Sequence, residues 1–257
     1  MGAGTYRFFS SGAMPWRVSF IGAGNVGSTF AEKLQSEGVE IVRIYSPSLG
    51  NMDDFTSEGV DSVIIAVTDD AIPALLEQLP GNESTLWLHT SGSVGIDVFD
   101  AVKFPRHGVL YPLQTMLKGT QPDWKNVPVF IEGDDPLNEE LARMLSPRVA
   151  TLDSLSRRRV HAAAVLCCNL VMYLWSLSEG VMADAGLDFK MLAPLMELTW
   201  RRASSGSPEQ SLTGPARRGD LGTIRKHLEA LNPETAEVYR LLSQNILIGL
   251  FTAAFRF

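Results

Sequence analysis

The sequence predicts an α/β protein, a doubly wound parallel sheet followed by an all-helical C-terminal domain. Three observations lead there. A glycine triplet sits between a short strand and a helix near the front, strands and helices alternate as far as Leu145, and the period turns helical from Arg157 onward.

Arg17 to Ile21 (RVSFI) is a β-branched and aromatic run. Gly22, Gly24 and Gly27 follow in G-x-G-x-x-G spacing, and Ser28 to Glu37 continues as an amphipathic helix. Each glycine has a physical task. Gly22 permits the tight turn, Gly24 lets backbone approach a pyrophosphate, and Gly27 lets helix and strand pack closely. The helix start offers unpaired N–H groups and partial positive charge to phosphates. The whole turn, Gly22, Ala23, Gly24, Asn25, Val26 and Gly27, is therefore expected to bind a dinucleotide. The GAG at residues 2 to 4 has no strand ahead of it and belongs to a tail of residues 1–16. That tail lacks an apolar segment and a cleavage site, so no signal peptide is expected.

Further strands are expected at Glu40 to Tyr45, Ser62 to Thr68, Thr85 to His89, Gly108 to Tyr111 and Val127 to Glu132. Helices are expected at Ala71 to Leu79 and Leu137 to Leu145. Alternation of this kind implies parallel pairing through crossover helices, with ligands at the carboxyl ends of the strands. After the second strand, YSPSLGN has no carboxylate to hold ribose hydroxyls. Ser46 and Ser48 favour a 2′-phosphate, hence NADP over NAD, although Ser-Pro-Ser also reads as a plain turn. After the third strand, Thr68 and Asp69 are candidates for the adenosine side, with helix capping as the other reading. His89, Thr90, Ser91 and Gly92 border the nicotinamide end, and a histidine at a strand end also serves as hydrogen-bonded structure.

In 257 residues, 45% are apolar and 20% charged, as in ordinary globular proteins. The 22 Lys and Arg against 29 Asp and Glu give a net charge of −7, which argues against a nucleic-acid partner. No pattern of metal ligands stands out. Cys167 and Cys168 are neighbours on a helix, about 100° apart, and read as buried thiols of a reducing compartment. The apolar runs Ala162 to Leu177 and Ile246 to Phe255 fall short of the about 20 residues that span a bilayer. A cytoplasmic protein is expected.

The domains are drawn as 17–153 for the dinucleotide platform and 154–257 for a helical domain. A long apolar helix starts near Arg157 and stops at Gly186. Asp188 to Ala203, Asp220 to Leu231 and Pro233 to Phe255 follow. Apolar residues almost all round the first helix imply cover by other helices or by a second subunit, most simply in a homodimer built on this domain. His161 and Asn169 interrupt it. An ideal helix places them about 80° apart. They are either satisfied core polar residues or the lining of a crevice.

GAGNVG, HTSGS, YPLQT, HAAAVLCCN and LTGPARRGD occur in this order across nearly the whole chain. Together they resemble a bacterial two-domain oxidoreductase family that joins a Rossmann domain to a helical C-terminal domain of unknown function. More distantly the chain is similar to pyrroline-5-carboxylate reductase, ketopantoate reductase and the 6-phosphogluconate and β-hydroxyacid dehydrogenases. The resemblance implies that Asn169 matches an asparagine of the β-hydroxyacid dehydrogenases. Their catalytic lysine, four residues earlier, is Val165 here. It also implies that Tyr111 stands where the family often has histidine, so Tyr111 receives no proton-transfer role.

The expectation is an NADP-dependent reductase or dehydrogenase for a small carbonyl, imine or alcohol. His161 is its proton donor, Asn169 orients, and Arg218 anchors substrate. Gln114, Thr213 and Asp220 are candidate substrate contacts. Asp220 as a helix cap beside solvated Arg217 and Arg218 is the alternative for that loop. A dinucleotide-binding sensor without turnover is the alternative for the whole chain, suggested by the missing lysine.

Overall fold

The computed structural model describes residues 15–254. The tail expected at 1–16 lies outside them up to residue 14, as does the end of the last helix at Phe255. The chain divides into two compact units between Leu166 and Cys167. The first turns of the helix that begins at Ser154 belong to the front unit, because Arg157 of that helix is buried there.

The front unit is one seven-stranded sheet in the order β2-β1-β3-β4-β5-β6-β7. Its strands are β1 Arg17–Ile21, β2 Glu40–Tyr45, β3 Ser62–Ile65, β4 Leu86–His89, β5 His107–Pro112, β6 Val129–Glu132 and β7 Val149–Thr151. The first helices are α1 Asn25–Ser36, α2 Ile72–Gln78 and α3 Pro136–Leu145. Successive strand residues point to opposite faces. Val18, Phe20 and Ile64 therefore pack with Phe30 and Leu34 of α1 and Leu137 and Leu141 of α3. Ile21, Val63 and Ile65 pack with Ile72 and Leu76 of α2 and with Phe99 and Phe104 on the other side. This is the predicted doubly wound sheet, with one exception. Strand β6 runs antiparallel to β5. The link between them holds no α-helix, only the 3-10 turn Trp124–Asn126.

From Ser154 a continuous helical rod of 31 residues runs to Asp184. It comprises α4 Ser154–Ala164, a widened π turn Val165–Asn169 and α5 Leu170–Asp184. The back unit adds α6 Ala193–Ser205, α7 Pro208–Ser211, α8 Pro215–Arg218, α9 Leu221–Ala230 and α10 Pro233–Ala254. Two expectations need correction here. An 18-residue window of the rod has mean hydropathy 1.7 and none of it is buried, so by length and composition the helix is able to cross a membrane. The apolar run looked too short because the helix extends beyond it at both ends. Cys167 and Cys168 are exposed, not buried, since they lie on this uncovered stretch.

Candidate active site

The glycine loop leaves β1 with Gly22 at φ +116°. A Cβ on Gly22 would stand 2.2 Å from the Ala66 carbonyl oxygen, and one on Gly27 would stand 2.0 Å from the Gly22 oxygen. Those two glycines let the turn fold. Gly24 differs, because nothing lies within 4 Å of where its Cβ would be. It is the N-cap of α1, no side chain caps the helix, and the first turn carries no acidic residue. The α1 N-terminus thus presents uncapped N–H groups beside open space, a fit for a diphosphate. Asn25 is exposed at its first turn, with Ala23 and Val26 half-buried beside it.

The loop after β2 is a capped turn. Ser46 is buried, its hydroxyl accepts from the Ser48 N–H and lies 2.9 Å from the Ser48 hydroxyl. Asn51 ties the turn down through the Ser46 N–H and the Ile44 carbonyl. Ser48 remains exposed. Arg43, exposed on β2, pairs with Asp54 at 3.0 Å and lies over the Tyr45 ring.

At the ends of β3 and β4 the side chains mostly shape loops. Thr68 is exposed and caps without a side-chain bond. The Asp69 carboxylate accepts from the Ser93 hydroxyl, so its task is to tie two loops together rather than to cap a helix. Thr90 donates its N–H to Ile65. The Ser91 hydroxyl accepts from the N–H groups of Ser93 and Val94. His89 is fully buried, stacks on Phe99, and its Nδ1 accepts from the Ser91 N–H. Burial, reinforced by the Arg157 charge, pulls its pKa down to about 4. The neutral ring belongs to the interior, where it supports the loop.

Helix α4 grips this loop from above β4. Arg157 donates from Nε to the Ser91 carbonyl and from another nitrogen to the Val94 carbonyl, while pairing with Glu132. Glu132 also accepts from the Ser154 N–H and hydroxyl. Arg158 donates to the Ser93 carbonyl at 2.8 Å. One turn beyond Arg157, the His161 ring rests directly on Gly92. A Cβ there would be 2.6 Å from the ring. Position 92 is glycine to admit the imidazole. Tyr111, at the end of β5, meets that imidazole with its hydroxyl 2.9 Å from Nδ1. Burial pushes the Tyr111 pKa up to about 12, against the pull of the Arg157 charge. The reading of the sequence left Tyr111 and Arg157 without roles. The YPLQT motif marks the first, and nothing in the local sequence singles out the second from three consecutive arginines.

Gln114 is exposed just past β5, its side-chain oxygen held by the Thr115 N–H. In the back unit Asn169 is exposed at the end of the π turn. Thr213 and Arg218 are exposed around α8. Asp220 caps α9, accepting from the N–H and hydroxyl of Thr223, and those bonds hold its carboxyl below the usual range. Its capping alternative is the one realised. Among the described residues no group of His, Cys, Asp and Glu could hold a metal ion.

Residues 127–246 match a family described as a domain of unknown function, DUF2520. No curated protein matches the chain. Among solved structures, the chain is similar to "putative NADP oxidoreductase BF3122" from Bacteroides fragilis. The two are 31% identical over 91% of this chain and 98% of that one, with a TM-score of 0.80. Protein TM1727 from Thermotoga maritima is 21% identical over 90% and 98% of the two chains, with a TM-score of 0.65. An imine reductase from Myxococcus stipitatus in complex with NADP+ shares the fold at 11% identity, over 93% and 94%, with a TM-score of 0.61. The chain belongs to the two-domain, Rossmann-like oxidoreductase family that carries the DUF2520 domain.

Proposed function

We propose that the chain is an NADP-dependent oxidoreductase acting on a small carbonyl, imine or alcohol. The observation that carries this is the α1 N-terminus. Gly24 leaves space, the helix start is uncapped, and no acidic residue stands in its first turn. Two phosphates find N–H donors and a favourable helix dipole there. Bound there, the coenzyme supplies a hydride at C4 of its nicotinamide. Ser48, exposed after β2 where NAD sites place a carboxylate, leaves room for the extra phosphate of NADP. His161, over the loop at the end of β4, gives the proton. Asn169 and Arg218 orient and anchor the substrate, with Gln114 and Thr213 as further contacts. A relative of 31% identity described as an NADP oxidoreductase supports the same reading.

The chain works as a homodimer through its helical unit. Leu170, Met172, Leu195, Trp200 and Ile248 are each 46–69% exposed. A groove of about 490 Å³ in that unit is walled by Leu174, Val181, Leu231, Val238 and Leu242. Exposed apolar side chains beside such a groove fit an interface. A second copy covers the long helix with protein in place of lipid, which keeps the chain in the cytoplasm. Sedimentation equilibrium in detergent-free buffer checks this, and a monomer at micromolar concentration sinks it.

Calorimetry with NADPH and NADH, followed by absorbance of the reduced nicotinamide against 2-oxo acids, aldehydes and cyclic imines, tests the activity. Heat with NADPH and turnover of one class are expected. Absence of heat with either coenzyme would overturn the reading.

A further inference from the structure

We propose that Tyr111 is the positioning residue for His161: it holds Nδ1 so that the neutral imidazole carries its proton on Nε2, the outlet toward substrate. The proposal rests on the oxidoreductase reading for its purpose, and on geometry internal to the front unit for its substance.

Three constraints meet on one ring. Gly92 gives the imidazole a flat floor, with the space of a missing Cβ already filled by Cγ and Nδ1. Arg157 and Arg158, within one turn of His161 on α4, bind three carbonyls of the same loop, so helix and floor move together. The Tyr111 hydroxyl, on the next strand, reaches Nδ1 at 2.9 Å, and the two rings meet edge to face. Tyr111 is itself fixed, 7% exposed and stacked on Phe130. A phenol in such surroundings stays protonated across the neutral range. It therefore has a proton to donate, and a neutral imidazole that accepts at Nδ1 must carry its own proton on Nε2. Within the front unit Nε2 makes no hydrogen bond among the described residues, so this side of the ring is left for a ligand.

The proton step then balances. As a hydride reaches the substrate carbon, the neighbouring oxygen or nitrogen gains an electron pair and takes the Nε2 proton. The Tyr111 O–H bond breaks as its proton passes to Nδ1. The imidazole ends neutral, with its proton moved from one nitrogen to the other, and the charge rests on the phenolate beside the Arg157 guanidinium. Proton uptake from water restores the phenol.

Long-range proton–nitrogen spectra of the full chain, labelled in its four histidines, test this directly, with His161→Gln to assign the signal. At a pH where His161 is neutral, the proton is expected on Nε2, and the Nδ1 resonance is displaced from that of a bare imidazole nitrogen. Tyr111→Phe should abolish the displacement while the thermal melt stays close to wild type. A wild-type proton on Nδ1 would overturn the proposal, and so would an Nδ1 signal indifferent to Tyr111→Phe. The wild-type spectrum decides even if the variant does not fold. Calorimetry with NADP+ on the same sample separates the two readings. No heat removes the coenzyme reading alone, and the wrong tautomer removes the Tyr111 assignment alone.

Discussion

Gly92 and His161 are in contact face to ring, across a span of chain that holds three strands and a helix. The ring cannot retreat freely, since Tyr111 holds Nδ1. Gly92→Ala is therefore expected to push the imidazole off its floor and break the Tyr111 contact. Overpacking of this kind costs about 1–3 kcal/mol. Urea unfolding reads the cost and the histidine spectrum reads the displacement. An unchanged midpoint with an unchanged spectrum contradicts the expectation.

Glu132 and Arg157 form an ion pair with side chains 13% and 1% exposed. Removing one partner leaves a charge with reduced solvation, at a cost of about 3–5 kcal/mol. Glu132→Ala should fall in that range, since Arg157 keeps only its two carbonyl acceptors. Chemical denaturation measures it, and a loss under ~1 kcal/mol would show that the pair is dispensable.

Gly24→Asp sets stability against binding. An aspartate suits an N-cap in extended backbone as well as or better than glycine, and Gly24 has φ −76° and open surroundings. The melting temperature should hold or rise slightly. The new carboxylate occupies the place proposed for the diphosphate, and NADPH affinity should fall at least ~10-fold, or about 1.4 kcal/mol. Gly22→Ala should behave in the opposite way, because its Cβ meets the Ala66 carbonyl and its φ is left-handed. That variant should lose the fold first.

His89 makes the front unit sensitive to acid. Its folded pKa of about 4 lies below the ordinary 6.5, so the unfolded chain binds the proton more readily. Stability from this group is complete above pH 6.5 and is lost as pH falls toward 4, by roughly 3 kcal/mol in all. His89→Phe, which keeps the stacking partner for Phe99, should flatten that part of the pH–stability curve. A variant curve that parallels wild type between pH 6.5 and 4 would assign the acid sensitivity elsewhere.

The glycine turn was legible because its logic is local: five strand residues, three spaced glycines and a helix follow one another without help from the rest of the chain. The burial of His89 was not legible, because a strand-end position does not reveal which way the ring turns, and here it turns onto Phe99. Tyr111 receives no role from the sequence because the family it resembles often has histidine there, and its partner lies 50 residues away on another element. Arg157 was hidden among Arg157, Arg158 and Arg159, since helix phase against the sheet decides which of the three is buried. Strand β7 is three residues long, too short for a period to register. The angle drawn between His161 and Asn169 assumed a regular helix, and the π turn between them breaks that assumption.

That wide turn also governs which length changes the rod can absorb. A five-residue loop of backbone holds one residue more than the neighbouring spirals require. Trimming one residue from Val165–Asn169 should let the ladder close into uninterrupted α-helix, where a cut inside α5 would turn the side chains beyond it by about 100°. The residues after the trimmed turn would keep the faces they show now, because the wide turn is what absorbs the surplus residue. Such a chain would keep both its secondary structure and the side that α5 presents, making position 169 a matter of counting as much as of chemistry.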